Sequence, residues 1–163
     1  MPPKPYLRPS QPADNPAIAA IIRSVMTSYG AVGPGFSIED AEVDEMHETY
    51  DVPRSLLLVV DDGQGRVIGC GGIAPLAGGD ADTCELKKMY FLPEARGLGL
   101  GRELMTTLEE AARNRGFRVV YLETLSTMVE AARLYDRMQY TPLPGPMGNT
   151  GHTRCGSFYA KTL

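Results

Sequence analysis

Hydrophobic and polar residues alternate along this chain with two periods, one typical of helices and one typical of strands. Apolar residues recur every three or four positions in four segments, which predicts helices at 16–29, 39–51, 100–115 and 128–138. Shorter segments rich in β-branched and aromatic residues predict strands at 6–8, 56–60, 66–74, 85–92, 117–124, 140–141 and 155–161. Two early helices thus follow the first strand, and strands and helices then mix, which indicates an α/β (α+β) fold.

The stretch from Glu85 to Arg102 is the most informative part of the sequence. A strand stops at Pro93, and an arginine with glycines at alternate positions then leads into the helical pattern that begins at Leu100. A helix leaves its first N–H groups unpaired, and Ser, Thr, Asp or Asn usually caps them, but none of these stands here. Because glycine lets the backbone turn sharply and lets an anion approach, we expect a phosphate-bearing ligand to cap this helix.

Two well-known phosphate loops do not fit this stretch. The dinucleotide pattern G-x-G-x-x-G would need glycine where Arg102 stands, and the Gly-Lys-Ser/Thr of the Walker loop is absent. The pattern that fits is Arg/Gln-x-x-Gly-x-Gly/Ala between a strand and a helix, with Arg96, Gly99 and Gly101 at its defining positions. The sequence therefore resembles the GNAT superfamily of N-acetyltransferases, whose acetyl-CoA motif has this form.

The resemblance implies one GNAT domain over residues 1–163, with a mixed, mostly antiparallel central sheet flanked by helices. It also implies a splayed pair of strands that holds acetyl-CoA. Backbone groups of Met89 and Phe91, on either side of Tyr90, would pair with the pantetheine arm. The pyrophosphate would bind N–H groups of the glycine loop, and the cofactor-binding residues beyond the strand would be Arg96, Gly97, Leu98, Gly99, Leu100, Gly101 and Arg102.

The family reaction, direct attack of an amine on the acetyl thioester, implies two catalytic side chains. Glu85 is the candidate base, acting through water, because it lies four residues before Met89 and so faces the same side of the strand. Glu123 on the neighbouring strand is the alternative. Glu85 is equally compatible with a structural ion pair to Lys87 or Lys88. Tyr135 matches the family's tyrosine acid, although its place on an apolar stripe also suits a core aromatic residue.

The net charge of −4 conceals an asymmetry between the two halves of the chain. Residues 1–84 contain 5 Lys/Arg and 12 Asp/Glu, whereas residues 85–163 contain 11 and 8. The acidic segment 39–51 either attracts a cationic amine or is simply a solvated helix face, with His47 a surface histidine. A pI near 5.2 and the lack of a basic stripe argue against nucleic-acid binding.

The remaining features predict location and partners. The sequence has no long apolar run, and Met-Pro-Pro-Lys-Pro-Tyr lacks the apolar core of a signal peptide, so we expect a cytoplasmic protein without membrane contact. Three cysteines without paired spacing suggest reduced thiols. His152 and Cys155 are too few for a metal site, so we expect no metal, and His152 is assigned to the loop or acceptor site.

Four smaller predictions concern the fold. Glycines in the 66–74 strand predict a bulge or a close neighbour. The Thr127-to-Glu130 pattern predicts a capping box. Gln139 stands where relatives have glycine, and a left-handed backbone there would cost roughly 1 kcal/mol. A C-terminal edge strand would permit a homodimer.

We therefore expect an acetyl-CoA-dependent N-acetyltransferase that modifies a primary amine in a ternary complex. The alternative is a non-catalytic acyl-CoA-binding sensor or interaction module on the same fold. The acceptor is open between small molecules and peptides, and a longer acyl group would also fit.

Overall fold

Seven strands form one sheet in the computed structural model, which describes residues 2–163. The strands are β1 (Tyr6–Pro9), β2 (Leu56–Asp61), β3 (Val67–Pro75), β4 (Thr83–Phe91), β5 (Val119–Thr124), β6 (Thr141–Leu143) and β7 (Ser157–Thr162). The helices are α1 (Asn15–Ser28), α2 (Met46–Tyr50), α3 (Leu100–Asn114) and α4 (Val129–Arg137). The predicted order of strands and helices is confirmed.

The strands are arranged in the order β1-β2-β3-β4-β5-β7-β6, and every neighbouring pair is antiparallel except β4 and β5. That parallel pair is short, because it extends only from Thr83 opposite Val119 to Glu85 opposite Tyr121. Beyond Glu85, β4 continues to Phe91 without pairing to β5. The sheet therefore opens at its centre, and the splayed strand pair is confirmed.

A bulge in β4 lies beside this opening. Gly72 pairs with Lys87 and Cys70 pairs with Tyr90, so two residues of β4 lie opposite Gly71 alone. One of the two, Lys88, has a left-handed backbone with φ of 57°. A Cβ at Gly71 would lie 2.8 Å from a methyl group of Leu104, so the close neighbour predicted for these glycines is present, whereas this bulge belongs to the partner strand.

Separate hydrophobic cores cover the two faces of the sheet. Leu57 of β2 packs in the core that contains Ile22 of α1, whereas the next residue, Leu58, packs in the core that contains Leu104 and Leu108 of α3. This follows from the alternation of side chains along a strand. Full burial of each such side chain contributes roughly 1.5–3 kcal/mol, so α3 is fixed firmly on the sheet and positions the glycine loop at its start.

The acidic segment is not the single helix that its spacing predicted. Residues 37–39 and 41–44 form two 3-10 turns, and only Met46–Tyr50 is α-helical. The backbone is extended at Asp40, with ψ of 135°, and leaves the helical region again at Glu45. Like charges at helical spacing repel one another, and the Asp40 side chain instead pairs with Lys88 and His152.

Two other local predictions were wrong. Met128, not Thr127, is the N-cap of α4, and no side chain bonds to the helix start. The C-terminal strand β7 is not an edge strand, because it lies between β5 and β6. Gln139 has the left-handed backbone that glycine would adopt more easily, with φ of 68°.

Cys70 and Cys84 are buried and Cys155 is partly exposed, and all three are free thiols. Within residues 2–163, no helix combines the length and the apolar character needed to cross a lipid bilayer.

Candidate active site

A groove of about 430 Å³ runs along the open side of β4, between the start of α3 and helix α4. Its lining includes nearly all of the residues predicted to bind the cofactor: Met89, Tyr90, Phe91, Arg96, Gly97, Gly99, Leu100, Gly101 and Arg102. Leu98 is the exception, since it is 58% exposed and lies outside the lining. Apolar side chains of α4, among them Leu134, form the opposite wall.

The glycines of the loop have two different functions in the fold. Gly97 and Gly99 have φ of 75° and 77°, in the left-handed region, and Gly99 is the N-cap of α3. Gly101 instead allows close packing, because a Cβ there would lie 3.0 Å from a methyl group of Leu134. The start of α3 thus has no capping side chain, and its N–H groups are available to an anion.

Arg96 links this loop to the end of β4 through hydrogen bonds. Its Nε and Nη2 atoms donate hydrogen bonds of 3.2 and 2.9 Å to the carbonyl oxygen of Phe91. The guanidinium group therefore engages one of the backbone groups that the sequence assigned to the pantetheine arm. Its contribution to the groove is partly structural, because it fixes the loop relative to the strand.

A small cavity of about 50 Å³ lies where β4 and β5 separate. It shares four lining residues with the groove, namely Met89, Tyr90, Met128 and Tyr135. The rest of its lining is mostly polar and includes Glu85, Lys87, Lys88, Glu123, His152 and Cys155. The cavity is therefore the inner end of the groove, and both predicted catalytic residues line it.

Glu85 is only 3% exposed, and no hydrogen bond or ion pair from residues 2–163 reaches its carboxylate. The ion pair that competed with the catalytic interpretation is not formed, because Lys87 pairs with Glu42 and Lys88 pairs with Asp40. Burial raises the pKa of Glu85 to about 7, while the charge of Lys87 acts in the opposite direction. A carboxylate of this kind can accept and release a proton near neutral pH.

Glu123, unlike Glu85, is surrounded by polar partners. Tyr121 and Thr150 each donate a hydroxyl hydrogen bond of 2.6 Å to it, and His152 Nδ1 lies 3.3 Å from its Oε1. Burial alone would raise the pKa of Glu123, but the hydrogen bonds from His152, Thr150 and Tyr121 outweigh burial and lower it. Glu123 is thus held as an ionised carboxylate.

His152 joins Glu123 to the acidic segment. Its Nε2 lies 2.8 Å from Oδ2 of Asp40, a carboxylate that also pairs with the buried ammonium group of Lys88. Hydrogen bonds to Asp40 and Glu123 raise the pKa of His152 to about 9, against the effect of burial. The sequence predicted His152 only as a loop or acceptor-site residue, and it distinguished Asp40 in no way from the other carboxylates of the acidic segment.

Glu85, Glu123 and His152 are also the only described group whose donor atoms are close enough to hold a metal ion, within 4.8 Å of one another. Both nitrogens of His152 already face carboxylates, and Glu123 already has three partners. We interpret the cluster as an ion-pair network and assign no metal to it. The other histidine, His47, lies elsewhere and bonds to Ser10.

Tyr135 lies between the groove and the cavity, and it is 6% exposed. Its ring packs at 5.4 Å from that of Tyr159 and 6.2 Å from that of Tyr140, so it is part of a core. Burial raises its pKa well above the ordinary value for tyrosine, so the hydroxyl remains protonated. The position is compatible with both of the predicted roles.

The comparison with known proteins agrees with this geometry. The family model described as Acetyltransferase (GNAT) family matches residues 19–140, and the chain belongs to that family. A protein of Escherichia coli K12 described as an uncharacterized N-acetyltransferase, YjgM, is 42% identical over 155 residues, which are 94% of this chain and 92% of that protein. The chain is thus an acetyltransferase.

Solved structures show the same fold. A GNAT acetyltransferase of Staphylococcus aureus Mu50 superposes with a TM-score of 0.84 at 15% identity, covering 98% of this chain and 99% of that one. The yncA protein of Salmonella typhimurium, solved with its cofactor acetyl-CoA, superposes with a TM-score of 0.75 at 23% identity, covering 98% and 94%.

Proposed function

We propose that this protein transfers an acetyl group from acetyl-CoA to a primary amine by direct attack in a ternary complex. The observation that supports this most directly is the position of Glu85. Its buried carboxylate, free of partners among residues 2–163, lies at the inner end of the groove that begins at the glycine loop. A cofactor groove and a candidate proton acceptor therefore meet at one point.

Two features of the groove support acetyl-CoA as its ligand. The uncapped start of α3 suits the pyrophosphate, and Gly97 and Gly99 leave the backbone bare there, with no atom within 4 Å of a hypothetical Cβ. The strand edge at Met89 and Phe91 suits an extended pantetheine arm. When bound, acetyl-CoA supplies the activated acetyl group.

Glu85 prepares the acceptor for attack. A free amine has a pKa of about 10.4 and is mostly protonated at neutral pH, so it must lose a proton first. A carboxylate with a pKa of about 7 is ionised in a large fraction of molecules at neutral pH and can take that proton, directly or through one water. The bulge at Lys88 frees backbone groups beside Met89 from the β-ladder, and an N–H there would stabilise negative charge on the carbonyl oxygen.

Tyr135 completes the proposed set, because its hydroxyl keeps its proton and the residue lines both the groove and the cavity. It would donate that proton to the departing thiolate. Thiols ionise near pH 8.5, so this donation assists the reaction without being essential.

The test is release of free thiol from acetyl-CoA with a panel of polyamines, amino acids, aminoglycosides and peptides, repeated with propionyl-CoA and succinyl-CoA. Release with one acceptor class, fastest with acetyl-CoA, is the expected result and would identify the substrate. Tight acetyl-CoA binding without release for any member would favour the sensor alternative. We expect activity without added metal, so dialysis against EDTA should leave the rate unchanged.

We also expect a cytoplasmic protein, and the acceptor remains open between a small molecule and a peptide. A homodimer through the sheet would use β1 or β6, which are its two edge strands.

A further inference from the structure

Three distant parts of the chain meet beside the proposed base. Asp40 comes from the acidic segment, Glu85 and Lys88 come from β4, and His152 comes from the loop that precedes β7. Lys88, Asp40, His152 and Glu123 of β5 form a network in which positive and negative groups alternate, and Glu85 lies beside it. Such a network determines which of the neighbouring groups remains available to exchange a proton with a substrate.

The hydrogen-bond partners in this network are unevenly distributed among its residues. Glu123 has partners in Tyr121, Thr150 and His152, and both ring nitrogens of His152 face carboxylates. Glu85 lies in the same cluster, with its carboxylate close to both groups, yet no residue in the range 2–163 bonds to it. Two adjacent carboxylates with such different environments are expected to take different roles.

We propose that His152 is a positioning residue, which holds Glu123 as an ion-paired carboxylate and thereby leaves Glu85 to take the proton from the acceptor amine. The inference rests on the proposed function, and it names the base among the two candidate glutamates. It also assigns a role to Asp40, whose carboxylate pairs with the ring nitrogen of His152 that faces away from Glu123.

The charged and titratable groups around Glu85 determine the direction of the expected effect. They are Cys84, Lys87 and Lys88 on β4, Tyr121 and Glu123 on β5, His152 and Cys155 in the loop before β7, Tyr50 in α2 and, facing His152, Asp40. Without the positive charge of His152, only Lys87 and Lys88 remain to oppose the effect of the negative charge of Glu123 on Glu85. Glu85 then holds its proton more tightly, and the rate falls at neutral pH and recovers in alkali.

The first experiment compares His152→Gln with the wild type by measuring kcat/KM from pH 6 to 10, with the acceptor found in the panel. Because both proteins use the same acceptor, its own titration cancels in the ratio. We expect the acidic limb, on which the rate rises as the base ionises, to move up by about one pH unit. From a pKa of about 7, this is about a fivefold loss at pH 7 and about a tenfold loss at pH 6, and the loss disappears near pH 9. His47→Gln, which removes the other histidine, should leave the profile unchanged.

The double variant His152→Gln/Glu123→Gln should bring the acidic limb of the pH profile back toward that of the wild type, because the negative charge of Glu123 beside Glu85 is removed as well. The KM for acetyl-CoA should stay constant in all of these variants. A loss for His152→Gln that is equal at every pH would overturn the proposal, since that result indicates a purely structural role. Activity that survives in Glu85→Gln and vanishes in Glu123→Gln would overturn it too.

A second measurement needs no acceptor and so separates this proposal from the proposed function. NMR titration of the untagged protein follows its two imidazole rings, and His47→Gln assigns them. We expect His152 to titrate well above pH 6.5, and to titrate lower in Asp40→Asn and in Glu123→Gln. A His152 that titrates at or below pH 6.5 in the wild type would refute the ion-paired network, whatever the enzyme assay gives.

Discussion

The two ends of the proposed site are built in different ways. The proposed cofactor end comes mainly from one continuous stretch, residues 89–102, and its main features are backbone features: a bulge, two left-handed glycines and an uncapped helix. The proposed acceptor end is assembled from side chains of separate segments, among them Asp40, Lys88, Glu123 and His152. Backbone groups suit the phosphates and the extended arm of a cofactor, whereas charged side chains suit the recognition of one particular acceptor.

Glu85→Gln should have the largest effect, because it removes the proposed proton acceptor at the point where the two ends meet. We expect kcat to fall by about 10²–10⁴-fold, with little change in the dissociation constant for acetyl-CoA. Steady-state kinetics and calorimetric titration of acetyl-CoA give the two quantities. Glu110→Gln, which neutralises an exposed carboxylate of α3, is the control. Unchanged turnover in Glu85→Gln would mean that the base is elsewhere.

Gly99→Val tests the cofactor end by itself. A β-branched residue is strained at φ of 77°, and its side chain would enter the space that the pyrophosphate needs. We expect acetyl-CoA affinity to fall by about 100-fold, equivalent to about 2.7 kcal/mol. Gly65→Val is a matched control, because Gly65 also has a left-handed backbone, with φ of 91°, and open space around it, but it lies in the β2–β3 hairpin. If both variants bind equally well, the glycine loop is not the phosphate site.

The same contrast explains how much of the molecule could be predicted from its sequence. The conformation of the glycine loop could be predicted because it depends on residue types that lie next to one another in the sequence. The cluster of Asp40, Lys88 and His152 could not be predicted, because its members are far apart in sequence and only the folded sheet brings them together.

The acidic segment shows a further limit of sequence patterns. Val43, Met46 and Tyr50 are all buried at helical spacing, as expected, yet the backbone between them is not a continuous helix. The long-range pairing of Asp40 competes with local helix formation there. Tertiary contacts of this kind override local preference, and a single sequence does not reveal them.

Tyr135→Phe should have a smaller effect, because the thiolate leaves without help at a moderate rate. We expect kcat to fall by about tenfold and acetyl-CoA affinity to stay the same, since the ring remains in its core. Tyr159→Phe removes a hydroxyl from the adjacent ring and is the control. Equal kcat in Tyr135→Phe and the wild type would leave Tyr135 with a packing role only.

The smallest expected effect is on the stability of the protein, and it depends on pH because His152 titrates. The folded-state pKa of His152 is raised from 6.5 to about 9, so the stabilisation from its ion pairs is fully present below pH 6.5 and is lost as the pH rises through 9. Hydrogen bonds to charged groups contribute about 1.5–3 kcal/mol each, and the partial exposure of Asp40 reduces this to roughly 1–2 kcal/mol for the network.

Urea unfolding of the wild type and of His152→Gln measures this contribution as a difference. We expect the wild type to be more stable by about that amount at pH 6, and the two proteins to be nearly equal at pH 10. His47→Gln should show no such convergence. A difference in the free energy of unfolding that stays constant from pH 6 to 10 would mean that His152 stabilises the loop by packing alone. The proposed acceptor end would then, like the cofactor end, be stabilised without titrating charges.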